Sequence, residues 1–185
     1  MNKTNNQEFV SKLKKTYSTL AQATNLIIAE EGIPRADKGG WLDSSEHMYQ
    51  LYKKHLINAK ECGAKAGCFN QHGDKGYKYL TGGAENSFND PVSPYRRLIL
   101  NDGVQVNFEF LSSSCSYNWL DTDLCGLIRV DLNGEKGPNT YGRDAFSFKV
   151  TEKGLYPVGC QDINYCQTDN RTCACKVLRE NAMNY

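Results

Sequence analysis

Between Gln7 and Glu30 the chain carries no Gly or Pro, and Phe9, Val10, Leu13, Tyr17, Leu20, Thr24 and Ile27 recur at intervals of about three or four residues. Such spacing lines the apolar positions along one face, so the pattern predicts an amphipathic helix over residues 7–31 that stops at Gly32 and Pro34. Lys12, Lys14 and Lys15 fall in its opening turns, where the helix dipole disfavours positive charge. That conflict disappears if the natural helix continues upstream. A second helix is predicted after Asp43-Ser44-Ser45-Glu46, which has capping-box character, and carries Met48, Leu51, Tyr52, Leu56 and Ile57. Its end is expected near Cys62-Gly63, and residues 35–41 form the loop between the helices. Residues 63–94 are rich in Gly, Asn and Asp without periodicity, which reads as loop with at most short helical pieces.

Beyond Tyr95 the period changes to two. Residues 96–100 and 104–110 are strand candidates joined by Asn101-Asp102-Gly103, and Val104, Val106, Phe108 and Phe110 alternate with Gln105, Asn107 and Glu109. The alternation predicts a hairpin with one apolar face and one wet face. Residues 127–131 and 145–150 form a second pair across a Gly/Asn/Pro loop, and residues 112–123, with Cys115 and Trp119, form an excursion before it. Residues 159–174 read as a cysteine-rich loop, and 175–183 as a last short strand or helical turn. The order predicts an α+β fold, a long N-terminal helix packed against an antiparallel sheet with disulfide-rich loops. One domain spans 1–185, divided into the helix (7–31), second helix and variable loops (32–94), sheet (95–158) and cysteine-rich C-terminal region (159–185).

Composition narrows this picture. A chain of 185 residues with 39% hydrophobic and 23% charged residues supports one modest core. The net charge of +1 gives no electrostatic footprint for nucleic acid or a polybasic membrane face. Eight cysteines, Cys62, Cys68, Cys115, Cys125, Cys160, Cys166, Cys173 and Cys175, lie among Gly and Asn turns and predict up to four disulfides formed in an oxidising compartment. Their pairing is open among on the order of 100 combinations. Structural zinc is the alternative, but only Cys173-Ala-Cys175 is closely spaced, and its gap is shorter than zinc sites use. No apolar run reaches the roughly 18 residues of a membrane span, and Met1–Asn6 leads into no signal-peptide core. Oxidised cysteines then imply that export information has been removed and that the chain is a truncated or mature fragment with an added Met.

The one dense polar cluster is Asp131 to Asp144. Asp131, Asn133 and Glu135 alternate as oxygen carriers in a Gly-rich turn, and Asn139 and Asp144 add more, which suits the oxygen-rich shell of calcium. Asp131, Asn133, Asn139 and Asp144 are the candidate metal ligands, with Asp121 and Asp123 able to join. The other reading is a turn whose Asp side chains cap free amides. His47, His55 and His72 have no metal-protease spacing, and neither a nucleophile elbow nor a phosphate loop is present. No catalytic residue is expected. Tyr77, Tyr79, Tyr95, Tyr117 and Trp119 are candidates for a recognition surface or for packing in a thin core.

Two segments carry a resemblance. Residues 9–23, FVSKLKKTYSTLAQA, are similar to the stretch that follows the transmembrane half of a pilin helix. Residues 130–148, VDLNGEKGPNTYGRDAFSF, resemble the DxNGxxGPNxxGxDxFxF segment of pilin-like proteins, with Gly154-Leu155-Tyr156-Pro157 following. The tail from Cys173 to Tyr185 is also similar to tails in that group. The family is the bacterial type IV pilin and type II secretion pseudopilin superfamily, here as a soluble body without the transmembrane helix half. Its prepilin signature is absent. The resemblance implies a non-catalytic subunit, held in the inner membrane, cleaved and methylated, that self-associates through the absent N-terminal helix with other pilin-like subunits and assembly machinery. The filament would be extracellular or periplasmic, with no required cofactor. Some pseudopilins bind calcium in a loop of this region, so the resemblance also favours Ca2+ at Asp131–Asp144. The alternatives are a secreted or minor-pilin adhesion module and, further off, a secreted enzyme.

Overall fold

A computed structural model describes residues 3–65, 76–85, 95–120, 122–134, 136–160, 166 and 173–185. Helix α1 runs Lys3–Glu31, starting earlier than the sequence pattern required. Gly32 ends it in a left-handed conformation (φ 87°), with its N–H donating to Ile28 O. Val10, Leu13, Thr16, Leu20, Ala23, Thr24 and Ile27 are its buried stripe.

Helix α2 runs Ser45–His55, and Ser44 caps it by accepting the His47 N–H. Glu46 does not complete a capping box; it pairs instead with Arg96 and Gln50. The expected end near Cys62 is incorrect, because the chain leaves the helix at Leu56 in an extended conformation (φ −113°, ψ 133°). Leu56 stays buried while Ile57 is 77% exposed, so the apolar pattern continued past the helix for two different reasons. The next segment, β1 (Asn58–Gly63), is an edge strand rather than helix.

The remaining strands are β2 (Tyr77–Lys78), β3 (Ala84–Glu85), β4 (Arg96–Leu100), β5 (Gln105–Phe110), β6 (Tyr117–Asn118), β7 (Asp123–Leu124), β8 (Gly126–Asp131), β9 (Ala145–Thr151) and β10 (Gly154–Pro157). Six form an antiparallel sheet in the order β1-β4-β5-β8-β9-β10, so successive long strands are always neighbours. The predicted hairpin is β4–β5, and the predicted second pair is β8–β9. β2–β3 and β6–β7 are two-stranded ribbons in the excursions, where loop had been expected. The C-terminal segment forms helix α3 (Cys173–Glu180).

One face of the sheet carries Leu98, Val106, Phe108, Ile128, Val130, Phe146, Phe148 and Val150 against both long helices. Tyr17 stacks on Phe148, and its hydroxyl donates to Leu155 O at 3.2 Å, which places α1 along β9–β10. Tyr49 and Tyr52 meet Phe108 and place α2 over the middle of the sheet. The helices are joined by a buried 2.6 Å hydrogen bond between Thr24 and Tyr52 hydroxyls. Burial raises the Tyr52 pKa, so this contact stays neutral.

The opposite face was expected to be wet, and it is not. Register places Arg97, Asn107, Arg129 and Ser147 in one line across β4, β5, β8 and β9. All four are buried, as are Gln105, Asp131 and Lys149 on the same face. A layer of loops covers them. Tyr95 lies over the guanidinium groups of Arg97 and Arg129, Tyr77 reaches Asp131, and Trp119 packs on Lys149. Alternation identified two faces correctly, but a polar face is wet only if nothing lies on it.

Among the described residues there are three disulfides, Cys115–Cys125, Cys160–Cys175 and Cys166–Cys173, and Cys115, Cys125, Cys166 and Cys173 pack in the core on the helix side. Cys62 is also disulfide-bonded, and Cys68 lies outside the described residues. The zinc alternative does not hold for the bridged cysteines, whose thiolates are consumed. The Cys160–Cys175 bridge ties helix α3 to the segment just after β10, where the Cys175 N–H donates to Val158 O.

Candidate functional site

Three of the four proposed metal ligands converge at the end of β8. Asp131 Oδ1 accepts the backbone N–H of Asn133 at 3.0 Å and of Gly134 at 2.9 Å, and Gly134 takes the positive φ (65°) that this tight turn requires. Asp144 Oδ2 accepts Asn139 N–H at 2.8 Å, and Oδ1 accepts Thr140 N–H at 2.6 Å. The Asn133 side chain joins the turn to Asp144 and donates to Gly137 O at 3.1 Å. Asn139 therefore takes part through its backbone. Tyr185 donates to Gly142 O and pins the loop from outside.

Asp131 is fully buried, and its Oδ2 lies 2.5 Å from the Tyr77 hydroxyl, which also lies 3.2 Å from Gln105 Oε1. Burial pushes the Asp131 pKa up to about 8, with the nearby charge of Asp144 adding to it. Burial also raises Asp144, against the opposing effect of its amide donors. Two carboxylates enclosed together do not both ionise at neutral pH without a compensating cation or proton. A protonated Asp131 satisfies the geometry: Oδ2–H donates to Tyr77, Tyr77 donates to Gln105, and Oδ1 still accepts two amides. When ionised, Asp131 receives the Tyr77 proton instead.

Glu135 and Asp121 lie outside the described residues. Asp123 is on β7, bonded to Asn118, and joins neither carboxylate. His47 pairs with Asp43 and His55 with Glu30, on separate parts of the surface, and His72 lies outside the described residues. Among the described residues no group of three or more His, Cys, Asp or Glu is placed to hold a metal ion. Of the recognition candidates, Tyr77 is a buried anchor for Asp131, and Tyr79 packs near Tyr141. Only Tyr117, 48% exposed, and half-buried Trp119 present aromatic surface on the β6–β7 ribbon.

Two recesses flank that ribbon. The larger, about 690 Å³, lies between Arg35, Asp123, Lys149, Glu152 and Tyr156. Its charges are largely spent: Arg35 pairs with both Asp37 and Glu152, and Lys149 Nζ donates to Trp119 O at 2.6 Å. The smaller, about 340 Å³, is lined by Glu109, Leu111, Tyr117, Trp119, Leu127, Arg129 and Ser147. Sequence reasoning missed Arg129, Ser147 and Lys149. The available clue was that charged residues occupy alternate positions within the strands, Arg129 two before Asp131 and Lys149 two after Ser147. No family model, curated protein or solved structure matches this chain.

The raised Asp131 pKa has a definite consequence for stability. Below about pH 4 folded and unfolded chains both hold the proton; between about 4 and 8 only the folded chain keeps it, so stability falls as pH rises through this window. The slope for one proton is at most about 1.4 kcal/mol per pH unit. In EDTA the melting temperature should be lower at pH 8 than at pH 5, and Asp131→Asn should flatten the difference. A melting temperature that is constant or rises over this range contradicts the assignment.

Proposed function

We propose that this chain is the non-catalytic body of a subunit of a type IV pilus or type II secretion pseudopilus-like filament. The observation that carries the reading is α1. Its 29 residues give about 43 Å of helix, about twice the length of β9 and about three times that of β10. A buried stripe from Val10 to Ile27 fastens it along β10, while Gln7, Ser11, Lys14, Ser18, Gln22 and Asn25 stay exposed on the other side. Such a helix, clamped at the margin of a globular body, is suited to being shared between neighbours in a helical array. The pilin-like motif at residues 130–148 supports the same reading; it runs from the end of β8 through the carboxylate-capped turn into the start of β9.

In this reading the subunit is anchored in the inner membrane before assembly and works at the cell surface or in the periplasm. Its partners are copies of itself, other pilin-like subunits and the assembly machinery. Among the described residues no helix is long and apolar enough to cross a membrane; the filament reading expects the anchor upstream of Gln7. The native coding region there is expected to encode a short basic leader, a cleavage site and about 20 apolar residues in helical register with α1. An ordinary signal peptide directly before this chain would overturn the filament reading and favour a secreted binding module.

A second reading concerns calcium at Asp131 and Asp144. One observation favours it: Asn133 Oδ1 is buried without a hydrogen-bond partner, and its side chain touches Asp144. Two carboxylates, this amide oxygen and nearby carbonyls are the hard oxygen donors calcium prefers. Calcium is then expected to raise the melting temperature at pH 7.5 relative to EDTA, and Asp144→Asn to abolish the rise. No difference between calcium and EDTA would leave the carboxylates as turn caps alone.

A further inference from the structure

Among the described residues, the polar face of the sheet includes Arg129, a buried cation with a donor that has no hydrogen-bond partner. Arg129 is 8% exposed, and its Nη2 lies 2.5 Å from Glu109 Oε2. Its Nη1 is buried and has no hydrogen-bond partner. An unmade bond on a buried charged donor costs more than one on a neutral group. Arg129 lines the recess of about 340 Å³, together with the Ser147 side chain, and this volume is at the lower end of small-ligand pockets, about 300–1,000 Å³.

The walls indicate what would complete the arginine. Leu111 and Leu127 give an apolar surface, and Trp119 and Tyr117 bring aromatic rings from the β6–β7 ribbon. The Cys115–Cys125 bridge closes the segment that carries the ribbon, and Lys149 Nζ on Trp119 O joins that segment to the sheet. The aromatic wall is therefore fixed in place. A guanidinium fork recognises a carboxylate through its spare N–H groups, and aromatic side chains stack on a ring. Glu109 does not fill this role completely: its Oε2 forms an ion pair with Nη2, but Oε2 and Nη1 are both buried without a hydrogen-bond partner.

We propose that this recess binds a small organic acid whose carboxylate is carried on a six-membered ring, with the carboxylate on Arg129 Nη1 and Ser147 and the ring between Trp119, Tyr117 and Leu127. The site stands independently of the filament reading: it would serve an adhesive pilin and a secreted binding module equally.

Two ring acids distinguish the sources of this chemistry, sodium benzoate for aromatic acids and sodium D-glucuronate for sugar acids. Benzyl alcohol and D-glucose are the neutral counterparts. Binding to the intact, oxidised chain is followed by NMR, through the indole N–H of Trp119 and the guanidinium N–H groups of Arg129. At least one acid should shift both signals and bind at least tenfold more tightly than its neutral counterpart. Trp119→Ala, on the ribbon, should weaken it about tenfold, and Arg129→Lys should remove the preference for the acid. Because Arg129 is buried, Ser147→Ala serves as the second polar variant and should weaken the acid without changing affinity for the neutral compound. The proposal is overturned if neither acid shifts Trp119 and Arg129 at millimolar concentration, if acid and neutral compound bind equally, or if Trp119→Ala leaves binding unchanged.

Discussion

A sheet buried on both faces must account for every polar group on the face that is not apolar, and in this protein Asp131 is where that requirement is met. It terminates β8, shapes the following turn through two backbone amides, and receives Tyr77 from a ribbon 54 residues earlier in the chain. One carboxyl group thus joins the sheet, its own turn and the overlying loop layer. Because it is fully buried, the group is held as an acid with a raised pKa. Removing a partner from so enclosed a group leaves an unsatisfied polar atom, which costs roughly 1–3 kcal/mol.

The rest of the architecture follows from having three layers in a chain of 185 residues. On the helix side, nondirectional apolar packing against α1 and α2 suffices. On the loop side, the covering segments have little regular structure and bury charged side chains, so stability must come from pairwise bonds and cross-links. Arg129 with Glu109, Lys149 with Trp119 O, and Tyr95 over two guanidinium groups supply the bonds. Disulfides supply the cross-links, each limiting the unfolded chain; a loop of about 15 residues contributes on the order of 3 kcal/mol in the chain-entropy model.

How much of this can be read in the sequence depends on whether an element announces its own period. Helix α1 does, through Val10, Leu13, Leu20 and Ile27, and the β4–β5 hairpin does, through Val106 and Phe108 around Asn101-Asp102-Gly103. The end of α2 does not, because Leu56 and Ile57 extend a helical apolar pattern after the chain has become extended. The burial of Asn107 and Arg129 is invisible locally, since their cover comes from residues distant in sequence. For the same reason the sequence leaves open whether Tyr77 belongs to a recognition surface or to the packing; it is an anchor in the interior. Among the proposed ligands, the spacing of Asp131, Asn133 and Asp144 did indicate a shared turn. Whether carboxylates gathered in a turn cap amides or hold a cation depends on the donors that face them, which spacing alone does not contain.

Direct observation of the Asp131 proton tests the central claim. In carbon-13-labelled protein with EDTA, the side-chain carboxyl signal of Asp131 is followed against pH. A carboxyl that stays protonated at pH 6 and loses its proton near pH 8 is the result expected from its burial beside Asp144. Titration in the ordinary range, near pH 4, would show that the group is hydrated and ionised, and that the loop layer is not held on the sheet in the manner described.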